Sequence, residues 1–216
     1  MYTSDIGLEM YETIPAPIRK FLEQEEAAGK SINPPKDKIL RAFLTTPIKR
    51  VKCIIIGQDV YPKSDDASGL AFSVDHNHIP ASLNNIFKEL HIDEHIKRPS
   101  TGSLESWANR GVLLINSILT CETGKPMSHM NHGWEEYTNN KIQQVLNTNN
   151  PCTIICWGKY AQRKIGELKL HEKALVITGG HPSPRNLHNN FIGGRYFSRT
   201  NAWLKLNKIE PINWSL

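Results

Sequence analysis

Four short, nearly uninterrupted apolar runs set the strongest limit on how this 216-residue chain can fold. They are "VKCIIIG" (51–57), "VLLINSIL" (112–119), "CTIICWG" (152–158) and "ALVITGG" (174–180). A strand with one face in water alternates apolar and polar residues, so runs without alternation predict strands covered on both faces. Segments with helical periodicity separate them. "IPASLNNIFKELHID" carries Leu83, Ile86, Phe87 and Leu90 on one face, with Ser82 placed to cap it. "SLESWANRG" is a helix closed by Gly111, and "WEEYTNNKIQQVLNTN", "KYAQRKIGEL" and "RYFSRTNAWLKLN" follow. Residues 10–28 read as helical after the prolines, and 40–43 as a short helix. Strands alternating with helices predict parallel pairing. The expected fold is α/β, a central four-stranded parallel sheet with helices on both faces, in a single domain spanning residues 1–216.

A parallel sheet gathers the carboxyl ends of its strands on one side, and binding crevices lie outside those ends. The first run ends in Gly57-Gln58-Asp59, the second holds Asn116, and the fourth ends in Gly179-Gly180-His181-Pro182-Ser183-Pro184. Asp59, Asn116 and His181 are therefore expected to converge although they are far apart in sequence. A carboxylate can orient water or offset positive charge. An imidazole can stabilise a departing anion, and an amide can read a heterocycle edge with paired hydrogen bonds. Together they suit hydrolysis of a bond whose leaving group is an anionic base. Each residue also has an ordinary structural use as cap, backbone partner or core histidine; the coincidence of three strand ends is what points to a site.

Other chemistries find no support. No Ser sits in a G-x-S-x-G elbow. "AAGKS" (27–31) ends like a phosphate loop but has Gln24 where the first glycine belongs. "HNH" (76–78) lacks a metal-binding context. The four cysteines, Cys53, Cys121, Cys152 and Cys156, lie in apolar runs and read as buried free thiols. "PCTIIC" is spaced one residue too widely for the P-C-x-x-C half of a zinc deaminase site, and no H-x-E accompanies it. No metal and no cofactor are expected. A net charge of +5 and a pI of about 9.0 fit a polyanionic partner. With no apolar run of about eighteen residues and no signal-like N-terminus, no membrane association is expected. The protein is expected to be intracellular, in cytoplasm, nucleus or a viral replication site according to its source.

From Gly57 to Leu216 these features resemble, in order, those of the family-1 uracil-DNA glycosylases. "GQDVYP" resembles the G-Q-D-P-Y-H water-activating loop, and "GLAFSV" (69–74) the segment holding the ring that stacks on uracil. "IPASLNNIFKEL" resembles the proline-rich loop and helix, and "NRGVLLINSILT" (109–120) the strand with the uracil-reading Asn. "SHMNHGWEEYT" (128–138) resembles S-H…G-W-E-x-F-T, "GGHPSPRN" (179–186) the H-P-S-P-L-S loop, and "PINWSL" the closing I-D-W. The resemblance implies a three-layer sandwich and hydrolysis of the N-glycosidic bond of deoxyuridine in single- or double-stranded DNA. It implies Asp59 and His181 as catalytic groups, and Gln58, Tyr61, Phe72 and Asn116 around the base. Ser82, His129, Ser183 and Arg185 or Leu187 would meet DNA. It implies a monomer without metal, with a proteinaceous inhibitor or replication proteins as further partners.

Two alternatives stand beside it: a DNA-binding replication accessory protein that keeps the fold, and a thymine or mismatch glycosylase, against which Tyr61 and Asn116 speak. The chain departs from the pattern at three places. Val60 replaces the loop proline and Pro62 the histidine. Arg185 stands where a leucine usually enters the emptied base stack, with Leu187 two residues on. Arginine both stacks and binds phosphate, which favours Arg185 for that place.

Overall fold

The computed structural model describes residues 3–186 and 190–216. Two helices lead in, α1 (Ser4–Tyr11) and α2 (Ala16–Ala27), followed by a two-residue strand β1 (Ile32–Asn33) and a short helix α3 (Arg41–Thr45). Then come β2 (Cys53–Gly57), α4 (Ala81–Glu94), α5 (Glu105–Asn109), β3 (Val112–Asn116) and β4 (Cys121–Glu122). The chain closes with α6 (Trp134–Asn147), β5 (Cys152–Trp157), α7 (Gly158–Ile165), β6 (Ala174–Gly179) and α8 (Tyr196–Leu206).

The four apolar runs form one parallel sheet in the order β3-β2-β5-β6, flanked by helices, as expected. The register pairs Gly57 with Asn116 and Trp157 with Gly179, so all four strands finish on the same side. From β2 the chain first adds β3 on one side and then returns to add β5 on the other. The order therefore reverses at β2, and a crevice opens beyond its end. Every residue of β2, β3 and β5 is buried. The two edge strands differ: β3 is buried throughout, whereas in β6 only Ile177 is fully buried and Thr178 is exposed.

Leu83, Ile86, Phe87 and Leu90 are the buried apolar face of α4, as their spacing predicts. Ser82 does not cap this helix. Pro80 occupies the cap position without a side-chain bond, and Ser82 sits inside the first turn. The same helix buries Glu89, whose carboxylate accepts the backbone N–H groups of Gly193 (2.6 Å) and Arg195 (2.8 Å). Asp93 accepts those of Phe197 and Ser198, supplying from another helix the capping that α8 lacks. Helix α1 and the antiparallel β1–β4 pair were not foreseen. The four cysteines are free and buried, and burial pushes the Cys152 and Cys156 thiols up to about 11 and about 12. Among the described residues no helix is long and apolar enough to cross a membrane.

Candidate active site

The site begins with the last residue pair of the β2–β3 ladder. A side chain on Gly57 would place its Cβ 2.0 Å from Asn116 Oδ1, so only glycine lets the Asn116 amide lie across the end of β2. Beyond Gly57 the ladder continues through Ser117 N–H to the Gly57 carbonyl (2.9 Å) and Ile118 N–H to the Gln58 carbonyl (3.0 Å). That continuation delivers Gln58, Asp59 and Tyr61 into a cavity of about 330 Å³. Phe72, Asn116 and His181 line the same cavity, with Ser82 and Arg185. The three strand-end residues are thus brought together.

Asp59 is half-buried. One oxygen, Oδ2, accepts the backbone N–H of Met127, while the buried Oδ1 has no hydrogen-bond partner among the described residues. Burial raises its pKa to about 6, against the lowering effect of the Met127 and Val60 N–H groups; the Glu135 charge adds a smaller upward push. Near neutral pH it is a carboxylate with one oxygen held and the other making no hydrogen bond among the described residues.

His181 follows β6 and packs its ring on Gly158, where a Cβ would lie 3.0 Å from that of His181. Its Nδ1 accepts the Ser183 N–H at 3.0 Å. A nitrogen that accepts cannot carry the proton, so the neutral ring is protonated at Nε2. Burial lowers the pKa of His181 and favours that neutral form. The loop is tied down by Asn85 of α4, whose amide donates to the Pro182 carbonyl (2.8 Å), and by Asn186, which donates to the His181 carbonyl (3.1 Å).

Phe72 adopts φ +64°, a left-handed backbone that a phenylalanine rarely takes. Its carbonyl accepts the Tyr61 hydroxyl (3.3 Å). Its ring meets Trp157 edge-to-face at 5.5 Å, and Trp157 in turn packs on Phe191 and Tyr196. Tyr61 is partly buried, and burial raises its phenol pKa, so it stays un-ionised.

His129 departs from expectation. It is fully buried, with Nδ1 2.8 Å from the Thr120 hydroxyl, the Phe21 ring edge-on at 4.9 Å, and its pKa pushed down to about 4, chiefly by burial. A side chain without exposed surface makes no phosphate contact, so His129 belongs to the core. Ser183 accepts the Arg185 N–H with its hydroxyl (3.2 Å), and Arg185 is exposed at the cavity rim. Leu187 lies outside the described residues. The residue missed in the sequence is Met127. It lines the cavity, holds Asp59 through its N–H, and accepts the Gln58 amide at its sulfur (3.2 Å). A backbone N–H leaves no mark in residue type, and the family-like segment read from the sequence starts one residue later, at Ser128.

The fold and the cavity define a base-excising glycosylase architecture, and comparison with known proteins gives it a family. The profile of the uracil DNA glycosylase superfamily matches residues 44–205. A uracil-DNA glycosylase of Acinetobacter baumannii is 45% identical over 201 residues, covering 92% of this chain and 84% of the relative. One from Glaesserella parasuis is 41% identical over 216 residues, covering 100% and 98%. The crystal structure of mimivirus uracil-DNA glycosylase superposes with a TM-score of 0.86 at 25% identity, over 99% of this chain and 86% of that one. The chain belongs to the uracil DNA glycosylase superfamily.

Proposed function

We propose that this protein is a monofunctional DNA-repair glycosylase that flips deoxyuridine out of DNA and hydrolyses its N-glycosidic bond, leaving an abasic site. The observation that carries this reading is the pairing, in one cavity, of a carboxylate oxygen that makes no hydrogen bond among the described residues with an imidazole whose neutral form carries its proton on Nε2. The target bond is unreachable in a stacked duplex, so the nucleotide must rotate into the cavity. Phe72 stacks on the extruded ring, a contact worth roughly 1–3 kcal/mol per base. Asn116 pairs with the uracil edge. Cytosine presents the opposite donor–acceptor order, and leaving buried amide groups unpaired discriminates by roughly 10⁴-fold or more. Tyr61 walls off the place of a thymine methyl, a rejection that needs steric exclusion because an added methyl alone is weakly opposed.

As the bond from the sugar C1′ to the base N1 breaks, its electron pair leaves with uracil, and Nε2–H of His181 donates to the developing charge on O2. Asp59 offsets the positive charge on the sugar and directs water to C1′. The water proton passes through Asp59 and finally reaches the released base. Arg185 at the rim fills the emptied stack, while Ser82 and Ser183 approach the phosphates. The mimivirus glycosylase variant solved in complex with UGI (TM-score 0.87 over 100% of this chain) supports a proteinaceous inhibitor as a further partner. The deciding experiment is uracil release from a single-stranded oligonucleotide carrying one deoxyuridine, with chelator present. Release is expected, and none would overturn the assignment.

A further inference from the structure

Pro62 stands where the family pattern has histidine, and its carbonyl is doubly bonded. It accepts the Asn33 side-chain amide at 2.8 Å and the Gly124 N–H at 2.8 Å. Asn33 is 1% exposed, and its amide oxygen accepts the Thr123 hydroxyl at 3.2 Å. It therefore bridges the end of the Asp59 loop to the segment after β4. The backbone of Asn33 is fixed independently. It pairs with Cys121 in the β1–β4 ladder, and Thr123 N–H donates to the Ser31 carbonyl at 2.8 Å. A few residues further on, the same segment supplies the Met127 N–H that holds Asp59 Oδ2. Loop 57–62 is thus pinned at two points to one piece of chain, once at the catalytic carboxylate and once at Pro62.

We propose that Asn33 is a positioning residue for Asp59: its buried amide locks loop 57–62, through the Pro62 carbonyl, onto the segment that carries the Met127 N–H. The side chain must donate to Pro62 and accept from Thr123 at once, which the amide does with two separate atoms; a serine hydroxyl can do both in principle but is too short to span the two partners. Aspartate has the same shape and keeps the Thr123 bond, but it sets an oxygen against the Pro62 carbonyl.

Because this role presupposes the glycosylase activity proposed above, the unmodified chain is assayed beside Asn33→Asp, Asn33→Ser and Thr123→Val. Uracil release is followed from about pH 4.5 to 8, a range that spans the Asp59 titration. Both Asn33 variants are expected to lose roughly 10–100-fold in kcat, the scale on which a displaced catalytic group costs rate, with KM within about 3-fold. Their acid limb moves to higher pH, because Asp59 loses the N–H that favours its ionised form. Thr123→Val, which keeps the Pro62 bond, is expected to stay within about 3-fold. Unchanged kcat and acid limb in both Asn33 variants would overturn the assignment. So would a change confined to KM or to melting temperature, or an equal loss in Thr123→Val. Hydrogen exchange on the unmodified chain reads the clamp without any variant: joint slow exchange of the Gly124 and Met127 amides is expected, and rapid exchange at Gly124 would also overturn it. If the unmodified chain releases no uracil, the glycosylase reading fails instead, whatever Asn33 holds.

Discussion

Asp59 and His181 reach one cavity from loops that are held in different ways. The Asp59 loop leaves β2, a fully buried strand with neighbours on both sides. Main-chain groups do most of the holding: Ser117 and Ile118 extend the ladder, Gly124 bonds Pro62 beside the Asn33 amide, and Met127 bonds the carboxylate itself. The His181 loop leaves β6, a half-covered edge strand, and is secured by the side-chain amides of Asn85 and Asn186 together with the Gly180 N–H to the Asn190 carbonyl (3.2 Å). The water-directing group is thus tied to the sheet by continued ladder bonds with one side-chain clamp at Asn33, whereas the loop of the leaving-group donor has no such ladder among the described residues and leans more on side-chain amides.

That contrast can be broken at its most rigid point first. Asp59→Asn removes the base and is expected to lower kcat by about 10³–10⁴-fold while DNA binding, measured by fluorescence anisotropy, persists. His181→Leu removes one donor to the developing anion and is expected to cost about 10²–10³-fold in single-turnover rate. Asn85→Ala tests the softer anchoring. It leaves both catalytic groups in place and frees the Pro182 carbonyl, with an expected loss of about 3–10-fold in kcat and no shift of the acid limb. In the unmodified enzyme that limb should have its midpoint near pH 6, activity falling as Asp59 takes up a proton.

The smallest effect concerns stability. Asp59 has a folded-state pKa raised above its ordinary value, so the folded chain holds that proton more tightly than the unfolded chain. Its cost to folding is absent below about pH 4, grows as pH rises, and is complete above about pH 6. Asp59→Asn is therefore expected to stabilise the fold by about 1–2 kcal/mol at pH 7.5, after allowance for solvent screening, and by nothing near pH 4. Thermal melts of both proteins at the two pH values check this sign.

The sheet was readable in the chain because burial on both faces leaves unbroken apolar runs, and the site because strand ends follow from strand positions. What was unreadable depended on partners distant in sequence. Helix α1 buries Gly7 and Tyr11 but exposes Ile6 and Leu8, so no apolar face announces it. Strands β1 and β4 are two residues each, too short for any period. His129 lies in a polar motif and reads as a surface group, yet Thr120 and Phe21 enclose it. The departures at Val60 and Pro62 find their account in packing. Val60 is 6% exposed, and Pro62 is held through its carbonyl, a group that every residue possesses.

Gly57 takes no part in the proposed chemistry and offers nothing for a substrate to bind, yet its Cα hydrogen faces the Asn116 amide where any Cβ would collide. A screen for inactive variants would therefore be expected to return Gly57→Ala beside the loss of Asp59, with every reacting group still present. The ability to tell uracil from cytosine would then have been lost through one added methyl group.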